Sequence, residues 1–207
     1  MTLTELIAEV RVRAGYPSTD PQASDADITK LLNEANNAIS SERDWPWLET
    51  SATLTTASGT AAYAPPAGWV RSRSLQIAGS APMDGAASRF ELDSLYPSTS
   101  TGQPQSWVVS GDQIRLYPIP DGVYSVTHVY YRQETQLASG TDTPLMPAWA
   151  HAAIVHWATS LYHSRTRNQE LAEESMKRAR DWLTRLADNA RRSNGPYRVR
   201  VRSGGFV

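Results

Sequence analysis

The chain has 207 residues, 40% of them hydrophobic and 20% charged, with a formal net charge of −1. That balance fits an ordered globular protein of one domain or two small ones and excludes a disordered chain. With no cysteine, it also excludes disulfide staples, thiolate catalysis and Cys-based metal sites. Residues 1–14 carry acids and lack the apolar core of a signal peptide. No apolar run approaches the ~18 residues of a membrane span, so the expectation is a soluble cytoplasmic protein with no membrane partner.

Two helices are predicted first. Thr2 and Glu5 form a T-x-x-E capping box, followed by Leu3, Leu6, Ile7 and Val10 at helical spacing, and Gly15 with Pro17 stops the run. Ser24 caps the second helix, with Asp25 and Asp27 in its positive first turn. Ile28, Leu31, Leu32, Ala35 and Ile39 make its stripe, which ends before Pro46.

From about Thr50 the period falls to two. Runs at 52–56, 70–77, 106–109, 114–117 and 123–131 read as strands, separated by Gly, Pro and Asp-Gly punctuation. The last two runs flank Pro118-Ile119-Pro120-Asp121-Gly122 and read as a hairpin. Segments 81–87 and 97–104 are poor in core residues and read as exposed loops.

Helices return after Thr143. Pro147 suits the first helical position, and Trp149, Ala152, Ala153, Val155, Ala158, Leu161 and Tyr162 predict a buried helix. Asn168 caps a long final helix with Leu171, Ser175, Ala179, Trp182, Leu186 and Ala190 on one face. Its other faces hold acid-first pairs at i,i+4, including Glu174 with Arg178. Gly195 and Pro196 end it.

The predicted class is therefore α+β: a helical bundle formed by the N- and C-terminal helices, an inserted small antiparallel β region, and an extended basic C-terminal arm. The expected segments are 1–48, a helical pair; 49–142, the β-rich insert; 143–195, helices completing the bundle; and 196–207, the arm.

Candidate chemistry is sparse. His128, His151, His156 and His163 show no metal-ligand spacing, so structural roles are expected and no metal or cofactor. There is no G-x-S-x-G elbow, G-x-G-x-x-G turn or Walker loop, so no catalytic residue is assigned. Trp45 and Trp47 in ERDWPWLE either cover the base of the insert or anchor a subunit interface, where Trp and Arg concentrate binding energy.

Charge is uneven. The last 17 residues hold five arginines and no acid, so the rest of the chain carries −6. In that tail Tyr197, Val199, Val201 and Phe206 interleave with Arg198, Arg200 and Arg202. Such a strand, arginine on one face and apolar on the other, suits β-augmentation of a partner. Five arginines alone are a weak signal for nucleic acid.

The layout resembles the head-to-tail adaptor proteins of tailed bacteriophages. The matching features are a helical pair ending in RDWPWL, an IRLYPIP turn with a following YY strand, a DTPLMP lead-in and an alanine-rich helix with histidine. The resemblance covers most of the chain but not residues 80–105. It implies a structural virion protein of the neck, assembled in the host bacterial cytoplasm. Such adaptors dock under the portal protein as a homo-oligomeric ring of about twelve copies. They extend the channel through which genomic DNA passes without sequence-specific binding, and they seat a downstream tail or nozzle protein. The C-terminal arm would grip the portal. The other readings are another connector-layer protein, such as a tail terminator or completion protein, or a carbohydrate-binding module or enzyme using the aromatic insert.

Overall fold

The computed structural model describes residues 1–15 and 24–193. Among these, the elements in chain order are α1 (Leu3–Ala14), α2 (Asp25–Ser41), β1 (Glu49–Thr55), β2 (Ala62–Tyr63), β3 (Trp69–Ile77), β4 (Asp84–Gly85) and α3 (Arg89–Leu95). Then follow β5 (Thr101–Gly102), β6 (Ser106–Val109), β7 (Ile114–Tyr117), β8 (Ile119–Pro120), β9 (Ser125–Arg132), α4 (His151–Arg165) and α5 (Gln169–Ser193). The class is α+β, with helices at both ends and strands between. The described residues form two compact units. One contains α1, most of α2, Leu137–Thr143 and the chain from Pro147; the other contains Ser40–Gln136 with Pro144–Met146.

In the first unit, α1 opens on the expected capping box, with Glu5 N donating to Thr2 Oγ1 and Thr2 N donating to Glu5 Oε2 at 2.9 Å. A box satisfies only part of a helix's free amides. The next two are taken by a distant segment: Leu3 N donates to Asp142 O at 2.8 Å and Thr4 N to Gly140 O at 3.1 Å. That segment has its own lock, because the Asp142 carboxylate accepts from Ala138 N at 2.8 Å and Ser139 N at 2.7 Å. These two backbone donors hold the Asp142 pKa below its ordinary 3.8. Asn33 of α2 clamps Leu137, donating to its carbonyl at 2.9 Å and accepting from its amide at 2.8 Å. At the far end of α1, Gly15 takes the left-handed conformation with φ 71° that a C-cap needs.

The stripes of α1 and α2 are buried as predicted. The last two helices differ in detail. Pro147 is extended and precedes a 3-10 turn, Ala148–Ala150, so α4 begins at His151. Short 3-10 turns are common at helix starts, and this one leaves Trp149 47% exposed instead of buried. Asn168 does cap α5, but its buried positions are Ala172, Ala179, Leu183, Leu186 and Ala187, while Leu171 is exposed. Moving one residue along a helix turns the face by about 100°, and the small side chains of Ala172 and Ala179 fit a close packing that Leu171 does not. Ser160 Oγ ties α4 to α5 by donating to Ala172 O at 2.8 Å.

In the second unit, β9 is central in a three-stranded antiparallel sheet ordered β1-β9-β3. A second sheet runs β2-β7-β6-β4, with antiparallel pairs except for parallel β4 and β6. The expected hairpin is not formed: β7 and β9 lie in different sheets. Pro118 and Pro120 have no amide to continue a ladder. The linking residues Ile119 and Pro120 instead form β8, which pairs in parallel with β5.

The two sheets meet through Leu75, Ile77, Met83, Ile114, Leu116 and Val126, with Leu54, Tyr63, Trp107 and Tyr124 around them. Met83 lies in a segment read as an exposed loop; it is buried because β4 pairs beside β6 and brings it under the sheet. At Gly85 a Cβ would stand 3.0 Å from the Trp107 ring, so glycine allows that close approach. On the other face of the second sheet lies α3, also inside the stretch without a resemblance, packing Leu92 on Val108 and Tyr117.

Leu116 is fully buried between the sheets. Leu116→Ala should lower unfolding free energy by about 2–5 kcal/mol in urea denaturation; a loss below half a kcal/mol would mean the sheets do not pack there. Asp142 gives a pH test. Its depressed pKa stabilises the fold above the unfolded value of 3.8, and that contribution disappears as pH falls through the folded value. Asp142→Asn should melt lower than wild type at neutral pH and converge on it in acid. Parallel melting curves across that range would contradict this.

Candidate functional site: aromatic contacts and a polar cleft

Trp45 is fully buried. It stacks on Trp47 with centroids 4.5 Å apart and planes at 17°, and the Arg43 guanidinium sits 5.0 Å over its ring. Trp47 keeps part of its surface exposed. Nearby, Arg71 pairs with Asp44 and lies 5.6 Å over Tyr131, and Arg73 pairs with Glu49. The arm residues singled out for binding, Tyr197, Arg198, Val199, Arg200, Val201, Arg202 and Phe206, lie outside the described residues.

All four histidines are buried. His128 Nε2 pairs with Ser72 Oγ at 2.9 Å, and that hydroxyl also receives Trp69 Nε1 at 3.0 Å. His156 Nε2 faces Arg13 Nη1 at 3.4 Å. Burial pushes the pKa of His128, His156 and His163 down, helped at His156 by the charges of Arg13 and Arg178. These rings are members of packed interiors. No group of three metal-ligating side chains occurs among the described residues, and no helix there is long and apolar enough to cross a membrane.

The second unit contains a cleft of about 490 Å³ lined by α3, β7 and the turns around β5. Strand alternation places it: Ile114 and Leu116 point between the sheets, so Arg115 and Tyr117 point to the opposite face. There Tyr117 Oη donates to Asp93 Oδ1 at 2.7 Å, and Arg89 Nε donates to Asp93 Oδ2 at 3.0 Å. Tyr96 borders Tyr117 with centroids 6.0 Å apart. The Tyr117 hydroxyl, with the charges of Arg89 and Arg115, holds Asp93 below its ordinary pKa. Burial and the Asp93 bond hold the Tyr117 phenol above its own. Ser98 and Ser100 complete the polar lining.

These residues were not singled out from sequence. One signal was present: Ser88 and Glu91 stand in S-x-x-E spacing before Leu92, and Ser88 Oγ accepts from Phe90 N at 3.2 Å as the N-cap of α3. On that helix Phe90 is 85% and Leu95 67% exposed.

The model of the SU10 adaptor protein family matches residues 1–202. The chain belongs to the SU10 adaptor protein family. This is a family of phage head-to-tail adaptors, and the match runs from the first helix through the β region and into the basic tail. None of the curated proteins compared with the chain matches it. For an adaptor, exposed aromatic and arginine side chains are the features of interest, because they dominate protein–protein binding energy.

Tyr117→Phe tests the cleft's wiring. Loss of the hydroxyl should raise the Asp93 pKa towards 3.8 with the fold unchanged, as read by a carboxyl-carbon NMR titration. An unmoved Asp93 would show that its charge is held by the arginines alone.

Proposed function

We propose that this adaptor docks beneath the portal as a ring, extends the DNA channel and forms the platform on which the tail is built. The family match over residues 1–202 carries this reading. It acts through surfaces and catalyses no reaction. It works in the neck of the virion after assembly in the bacterial cytoplasm. A closed ring of about twelve copies needs two different faces on each subunit. The net −6 of the chain before residue 191 suits a channel past which DNA moves without being held.

The tail supplies the grip on the portal. Residues Tyr197, Val199, Val201 and Phe206 offer apolar contacts, Arg198, Arg200 and Arg202 offer charge-assisted bonds, and the backbone offers an added strand. Of the stacked pair Trp45 and Trp47, Trp47 is the ring with surface left to contact a neighbouring subunit.

Adding the protein to purified portal rings should add a layer of about twelve copies, read by mass photometry and electron microscopy. Deleting residues 197–207 should leave the fold intact by circular dichroism and weaken docking at least about tenfold. Replacing Arg198, Arg200 and Arg202 with Gln should weaken docking most at low salt. Portal rings that gain no mass would refute the assignment, and undiminished docking of the truncated protein would refute the arm.

A further inference from the structure

We propose that the cleft between α3 and β7 receives a carboxylate from a partner protein: an Asp or Glu side chain within an acidic segment. Arg115 carries the recognition. Its Nε is buried and has no hydrogen-bond partner among the described residues. That Nε is out of a ligand's reach, so recognition falls to the rest of the guanidinium, which lines the cleft and presents a planar fork of donors matched to a carboxylate. Arg89, which gives Nε to Asp93, stands in the same lining with Ser98 and Ser100.

Asp93 sets the selectivity. Two arginines and one aspartate leave the cleft a single positive charge, enough for one carboxylate. Asp93 also holds Arg89 and the Tyr117 hydroxyl in place, so the polar groups are ordered before a ligand arrives. A nucleic acid would bring a row of phosphates and needs a basic stripe; here the two arginines of the lining stand beside an acid, Asp93.

The edge of the cleft indicates a protein. Phe90 and Leu95 are exposed on α3, which also supplies Arg89 and Asp93. Tyr96 adds a half-buried ring. The lining itself offers the Arg and Tyr mixture typical of protein-binding hot spots, with exposed apolar side chains elsewhere on the same helix.

The proposal concerns the isolated subunit and is tested without portal, so its failure leaves the adaptor reading standing. The full-length protein is titrated with blocked hexaglutamate, while the Nε–Hε NMR signals of Arg89 and Arg115 are followed. These signals separate the cleft from the arginine-rich tail. Hexaglutamate should shift both; hexaglutamine, inorganic phosphate and a short DNA duplex should not. Arg115→Gln should weaken the response at Arg89 at least about tenfold, as for loss of a hydrogen bond to a charged group. Arg115→Lys should fall between, and Arg178→Gln on α5, outside the cleft lining, should have no effect. Circular dichroism confirms that each variant folds. No shift at millimolar hexaglutamate, an unchanged response in Arg115→Gln, or a stronger response to phosphate or DNA would each overturn the proposal.

Discussion

Strand β7 is the constraint on which the second unit depends. Its alternation sends Ile114 and Leu116 into the cluster between two sheets and Arg115 and Tyr117 to the face under α3. A slip of one residue would invert the set, burying a guanidinium in the apolar cluster and turning Leu116 outward. Pairing on both sides prevents it: Val109 opposes Ile114, Ser106 opposes Tyr117, and Ala62 opposes Arg115. The apolar core and the polar cleft are therefore two faces of one strand. The burial that stabilises the sheets also aims the cleft's arginine and tyrosine.

The helical unit relies on a different device. A capping box is local, but the other amides at the start of α1 are satisfied by carbonyls of Gly140 and Asp142. That segment is in turn locked by the Asp142 carboxylate and clamped by Asn33. The first helix is thus capped by chain that follows the whole β region. Between α4 and α5, buried alanines and the Ser160 bond to Ala172 allow close helix packing, while the long charged face of α5 remains outside, with Arg178 paired to Glu174.

For an adaptor this division has a use. The buried histidines and alanines belong to packed interiors, whereas the groups proposed for recognition are arginines and aromatics with surface to offer. Asp93 illustrates the principle: it limits the cleft's charge and fixes its geometry at once. The basic tail is the opposite kind of element in sequence, carrying arginines without any acid between them. Two such elements could discriminate between partners, one by charge density and one by fitted shape.

What the sequence determined by itself was whatever depends on neighbours along the chain. The stripes of α1 and α2, the Thr2 and Glu5 box, the Asn168 cap and the bounds Ser106–Val109 and Ile114–Tyr117 were all legible, because periodicity and capping act within a few residues. The family was also legible, through motifs spread over most of the chain. Tertiary structure decided the rest. Strands β4, β5 and β8 have two residues each, too short for any period to show. Helix α3 buries Leu92 alone, so its pattern was faint even though its cap signature was present. The separation of β7 from β9 followed from prolines that have no amide to donate, but which sheet each strand joined depended on partners far away. The cleft was invisible for the same reason. Tyr117 meets Asp93 across 24 residues of chain, and only the packing of a helix on a sheet brings the hydroxyl and the carboxylate together.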